Sequence, residues 1–414
     1  MTYSSTDNAH REAARILREL GEPVGILDPY PRYHELRRLS PMHFSEYGSI
    51  VLTRYDDCLQ VLRDPAFPAD DFDLRDKYMP NWREHSALRT FGSSMIFRNP
   101  PDHTRLRRQV SGVFSPARVK LFRLQVDALV DEHLNDIEPY RSDGGGYDFH
   151  KLARALAMAV IASFIGAPRS KWRWLIGPAI GMTALINLNT TLADFETADR
   201  AANELTPYLT ELIAERRREP QDDVISTLVG PREDGDALAE DELLQMLILL
   251  LVAGVQPTLS LLTNGLDALF RFPEQARAFI DDPGLTDDLV EEVLRFDTPI
   301  QTVGRITGPN ATINGLALPA EMEVTAVVGA ANRDPVHFAE PDVFDIHRPR
   351  TRRVASFGNG FHACVGQYLA RTVGQSAFPR IYGRYPGIAP AGEPVRLINR
   401  KIRGYTEFPV HLKG

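Results

Sequence analysis

Along most of the chain apolar residues return every three to four positions, the period of a helix with one buried face. From Ala117 to Glu138 this pattern predicts a helix and sets Leu121, Leu124, Leu129 and Leu134 near one side. A second predicted helix, Ala201 to Arg218, closes on Glu215-Arg216-Arg217-Arg218, and basic charge is favoured at the negative end of a helix dipole. Asp241 to Phe270 is apolar on most sides, which predicts a helix through the interior. Leu285 to Arg295 reads as another, opened by Asp287 and Asp288 and acidic through Glu291 and Glu292. Strand-like runs are fewer. Ser49 to Arg54 and Met322 to Val328 are rich in β-formers, and Asn314-Gly315 is the dipeptide of a tight hairpin turn. Between Asn332 and Phe357 no period survives, and irregular stretches of that length inside a compact domain tend to be functional. The expected fold is mainly α with small β-sheets, a single domain over residues 1–414.

Composition changes this picture little. With 43% hydrophobic residues the chain has material for a large core, and its prolines and glycines are spread without a low-complexity linker. A net charge of -8 argues against a general nucleic-acid binder, whose phosphate affinity needs excess Lys and Arg. Only two cysteines occur, Cys58 and Cys364, which favours a reducing cytoplasm over a disulfide-stapled secreted fold. The N-terminus is polar and lacks the apolar core of a signal peptide. The longest apolar run, Leu243 to Val255, is interrupted by Gln245 and is short for a bilayer of ~30 Å. A cytoplasmic monomer, bound to neither membrane nor nucleic acid, is expected.

The densest chemistry lies in Phe357-Gly358-Asn359-Gly360-Phe361-His362-Ala363-Cys364-Val365-Gly366, followed by the helix formers Gln367-Tyr368-Leu369-Ala370-Arg371. A cysteine before a helix feels the positive end of the dipole and unpaired amides, and both favour thiolate. Gly358 and Gly360 let the loop curl so that N–H groups aim at the sulfur, and Phe357 can screen it from water. A lone Cys-x-Gly would read as a buried structural cysteine. A zinc site would want four ligands, and only His362 is adjacent.

The whole pattern resembles the cytochromes P450, whose signature Phe-x-x-Gly-x-x-x-Cys-x-Gly is matched in register by Phe357, Gly360, Cys364 and Gly366. Glu292-Val293-Leu294-Arg295 matches that family's Glu-x-x-Arg. Asn332-Arg333-Asp334-Pro335 and Phe344-Asp345-x-x-Arg348 follow in the required order. The resemblance implies a P450 fold enclosing haem b, with Cys364 as the axial ligand of the iron. It also implies that His103, Arg107, Arg305 and His362 hold the haem propionates, beside a cradle that includes Phe357, Gly358 and Gly366. Val354 stands where many relatives place histidine. Electrons would come from a separate ferredoxin and ferredoxin reductase, with Arg105, Arg108 and Lys120 as a candidate docking patch.

The oxygen-side helix departs from the family. Where relatives read Ala/Gly-Gly-x-Asp/Glu-Thr, this chain has Ala253-Gly254-Val255-Gln256-Pro257-Thr258. Proline has no N–H, so it should free the Ala253 carbonyl and kink the helix. A neutral amide at Gln256 replaces the proton-transferring carboxylate, and Thr258 lies about 100° further round. Two outcomes stay open: ordinary monooxygenation of a small organic, secondary-metabolite-like substrate with protons relayed by water or substrate, or an atypical oxidation. The atypical class covers phenol coupling, ring closure, desaturation and use of peroxide. A non-catalytic haem sensor and a degenerate relative are the competing classes. By resemblance the substrate pocket involves residues 72–96, Asn187-Leu188-Asn189-Thr190, Val252 to Gln256, Ile300 to Val303 and Tyr405. Phe72, Tyr78 and Trp82 would act there as wall, lid or plain packing.

Overall fold

The computed structural model describes residues 3–46, 48–71, 76–77, 79–141, 146–186, 191–230 and 237–413, so Phe72, Tyr78 and Asn187 to Thr190 lie outside it. The predicted interior helix spans Glu240–Arg271 and the acidic one Thr286–Phe296, each within about a residue of its expected bounds. By length and composition Glu240–Arg271 would suffice to cross a membrane, but 78% of its most apolar stretch is buried in the fold. The basic-ended helix begins earlier than its pattern suggests, at Leu192, where Thr191 and Asp194 form a reciprocal capping box.

The helix Pro116–Ile137 corrects the expected face. Its buried stripe is Val119, Val126, Leu129, Val130, Leu134 and Ile137, whereas Leu121 and Leu124 are 76% and 80% exposed. At 100° per residue Leu121 and Leu124 project opposite to that stripe, whereas the expected Leu129 and Leu134 lie on it beside the valines.

Contacts sort the chain into two units. The first comprises Met1–Asp70, Asn264–Cys364 and Val395–Thr406. Its sheet has strands β1 (Met42–Phe44), β2 (Ile50–Leu52), β3 (Val303–Ile306) and β4 (Glu323–Ala326) in the order β1-β2-β4-β3. The β2–β4 pair is parallel and the other two are antiparallel. Ile50, Leu52, Val324 and Ala326 pack with Val61, Leu62 and Phe67 into one apolar core that also contains Cys58. Asn314 (φ 51°) and Gly315 (φ 77°) are both left-handed, as a two-residue hairpin turn requires. No helix or strand occurs between Asn332 and Val354.

The second unit comprises Asp71–Thr263, Val365–Pro394 and Glu407–Gly414. Helix Pro116–Ile137 packs on Gln367–Arg384, where Ser376 donates to Asp127 (2.6 Å) and Arg380 pairs with Asp127 and Asp131. A small sheet joins Tyr147–Asp148, Ala389–Pro390 and Pro409–His411.

Candidate functional site

The irregular stretch before the cysteine is held by side chains. Glu292 and Arg295, 4% and 2% exposed, form two parallel hydrogen bonds of 2.8 Å. Arg295 also donates to the carbonyls of Asn332, Pro341 and Val343, while Glu292 accepts from the Asp345 amide and from Arg348. A buried ion pair holds only when its remaining hydrogen-bonding capacity is used, and here the spare donors and acceptors fix the stretch itself. Asn332 extends the tie. Its Nδ2 donates to Leu294 O and Ser356 Oγ, its Oδ1 accepts from Ala355 N, and Ser356 Oγ donates to Leu294 O. Ser356 carries no spacing signal in the sequence, and its role emerges only from this contact.

From that anchor the chain turns through Gly358 (φ 68°) and Gly360 (φ 70°). At Gly360 two constraints coincide, because an added Cβ would also lie 2.7 Å from Arg63 Cα and Leu62 O. Ala363 N donates to Gly360 O (3.1 Å) and Cys364 N to Phe357 O (2.8 Å), which closes the loop with the sulfur-bearing residue exposed. Cys58 contrasts with it. It is fully buried, donates to Leu52 O at 3.4 Å, and burial pushes its thiol far above the ordinary range. The half-buried His362 packs its ring against Phe361 at 4.7 Å.

On β3, in the same unit, Arg305 is 7% exposed. Its guanidinium donates to Gly304 O, its Nε has no hydrogen-bond partner, and no carboxylate among the described residues pairs with it. Burial alone pulls its pKa down to about 10. A buried, uncompensated cation is costly unless an anion completes it, so this residue fits a cofactor bearing carboxylates.

In the second unit His103 and Arg107 lie four apart on the helix Asp102–Ser111, the first buried and the second half-buried. Of the predicted docking residues, Arg108 and Lys120 are exposed and Arg105 pairs with Glu242. Glu240–Arg271 continues through Pro257. In a packed stretch Ala253 is exposed and Gly254 and Pro257 are half-buried, which opens a short window on the helix. Gly254 has to be small, because a Cβ there would lie 2.8 Å from Ile161 Cγ1. Gln256 and Thr258 are each 8% exposed, outside the window. Gly366 caps the helix Gln367–Arg384 with ordinary negative φ. Trp82 is buried and donates to Asp76, which is a packing role, and Tyr405 is buried beneath Arg396.

A mainly helical fold thus presents an exposed cysteine at the end of a locked, glycine-turned loop. The family described as cytochrome P450 matches residues 280–385. Cytochrome P450 monooxygenase PikC of Streptomyces venezuelae is 34% identical, over 92% of this chain and 91% of its own. Polyketide biosynthesis cytochrome P450 PksS of Bacillus subtilis is 31% identical, over 94% and 96%. Among solved structures, P450BioI in complex with a hexadec-9Z-enoic acid ligated acyl carrier protein superposes with a TM-score of 0.85 at 30% identity, covering 93% and 98%. The chain belongs to the cytochrome P450 family and is an oxidoreductase of the monooxygenase type. Membership implies a haem-thiolate cofactor and an external source of electrons.

Proposed function

We propose that Cys364 ligates the iron of haem b, that Arg305, His103, Arg107 and His362 receive its propionates, and that the enzyme inserts one oxygen atom into a small secondary-metabolite substrate. Electrons come from a ferredoxin and its reductase, to an enzyme that works as a cytoplasmic monomer. Haem supplies the activation of dioxygen. The chain supplies the anchored loop, the buried cation and the oxygen-side helix. The observation that carries this reading is the accessible thiol of Cys364 on a loop tied through Asn332 to the Glu292–Arg295 pair. Arg305 supports it, since a buried guanidinium without a carboxylate is completed by a propionate. A second reading, oxidation without oxygen insertion, draws on Gln256 and Pro257 and is separated by the identity of the product.

The test is spectroscopic. The reduced carbon-monoxide complex should show the strongly red-shifted Soret band of thiolate ligation, Cys364→Ser should remove it, and Cys58→Ser should keep it. The reverse pattern refutes the assignment.

A further inference from the structure

Within the first unit, the short helix Pro23–Leu27 and the segment from Arg396 to Gly404 border a cavity of about 330 Å³. That is the low end of the range for small-molecule sites. Three arginines line it, Arg396, Arg400 and Arg403, and no carboxylate does. Two of the three are already engaged. Arg396 pairs with Asp267 (3.1 Å) and Asp297 (3.2 Å). Arg403 pairs with Asp297 and donates to the Ile26 and Leu27 carbonyls. Arg400 is half-buried and forms no ion pair or hydrogen bond with any described residue. Setting Asp267 and Asp297 against the three guanidinium groups leaves one positive charge over, so a single negative charge completes the group.

A second donor lines the same cavity. Tyr33 is 6% exposed and its hydroxyl forms no hydrogen bond with any described residue. Burial pushes its pKa above the ordinary tyrosine range despite the opposing pull of Arg403 and Arg400, so it stays a neutral O–H donor. An unused guanidinium fork and an unused hydroxyl suit the two oxygens of a carboxylate. The rest of the wall favours an apolar body. Leu20, Ile26 and Leu397 line the cavity, and Val24 and Ile398, each next to a lining residue in the chain, are exposed.

We infer that this cavity is a ligand site for a small monocarboxylate with an apolar chain, its carboxylate held by Arg400 and Tyr33 and its chain lying against Leu20, Ile26 and Leu397. None of the residues proposed to hold haem lines it. The inference therefore stands apart from the proposed ligation, and its failure leaves the carbon-monoxide test untouched.

The probe is octanoate, titrated calorimetrically into haem-loaded protein, with octanamide as its neutral match. Octanoate should bind at one site, and octanamide about tenfold more weakly, because charge-assisted hydrogen bonds are the stronger ones. Arg400→Gln should weaken octanoate binding by about tenfold and Tyr33→Phe severalfold, with octanamide unchanged in both. Since Arg400 ties down nothing in the fold, its glutamine variant should melt with wild type. Wild type that ignores octanoate, or takes octanoate and octanamide equally, overturns the inference, as does an Arg400→Gln variant that binds octanoate like wild type. The Soret band should stay in place throughout the titration. A shift that disappears with Arg400 would put the ligand at the haem and overturn the inference as well.

Discussion

Arg305 is buried as a cation without a counter-charge, and the consequence can be measured before any cofactor is added. A pKa lowered from 12.5 to about 10 means that folding favours the neutral form. The unfolded chain binds more protons between those values, so the penalty is in force at neutral pH and is relieved only as pH rises past about 10. It corresponds to about 3 kcal/mol. Arg305→Leu in haem-free protein is expected to raise stability by about 1–3 kcal/mol in denaturant unfolding while weakening haem retention on gel filtration. A haem-free variant less stable than wild type would contradict the unpaired cation. The sequence marked Arg305 as a candidate, but it cannot show which partner is missing. Gly360 is similar. The motif names it, while one of the two reasons it must be glycine is the backbone of Leu62 and Arg63, brought there from far earlier in the chain.

Among the elements, helix Thr286–Phe296 is the most informative, because Glu292 serves Arg295, Arg348 and the Asp345 amide at once. Removing the carboxylate leaves two guanidinium groups without it, one of them 2% exposed. Glu292→Ala is expected to cost about 3–5 kcal/mol in chemical denaturation. A midpoint near wild type would make the pair dispensable. Its i,i+3 spacing was legible, whereas the carbonyls of Asn332, Pro341 and Val343 that receive Arg295 belong to a stretch without periodicity. Helix Pro116–Ile137 shows the opposite limit. Its leucines divide between two faces, Leu129 and Leu134 buried with the valines and Leu121 and Leu124 exposed, and only packing shows which.

Over the whole molecule, pattern and composition were enough to read a mainly α fold with small sheets. They hold no record of which distant stretches assemble into each unit. Asp297 shows how the three stretches of the first unit are joined: its carboxylate accepts from Tyr30, Arg396 and Arg403. Burial acts to raise its pKa, but Arg403, Arg396 and Tyr30 outweigh that and hold the carboxyl well below the usual range. Its contribution is therefore complete above the unfolded carboxylate range and is lost as pH falls below about 4. Melting temperature measured from about pH 5 to pH 3 should fall more steeply in wild type than in Asp297→Asn. Parallel slopes would show that this carboxylate does not govern acid lability.

One thiol sealed in the core and one left accessible also give the chain a built-in gauge of loading. On the proposed ligation, a thiol-reactive dye should label haem-free protein once under native conditions and haem-loaded protein not at all. Denaturant should then expose the second site. The dye-to-protein ratio of any preparation would report its occupied fraction by chemistry alone, without recourse to colour.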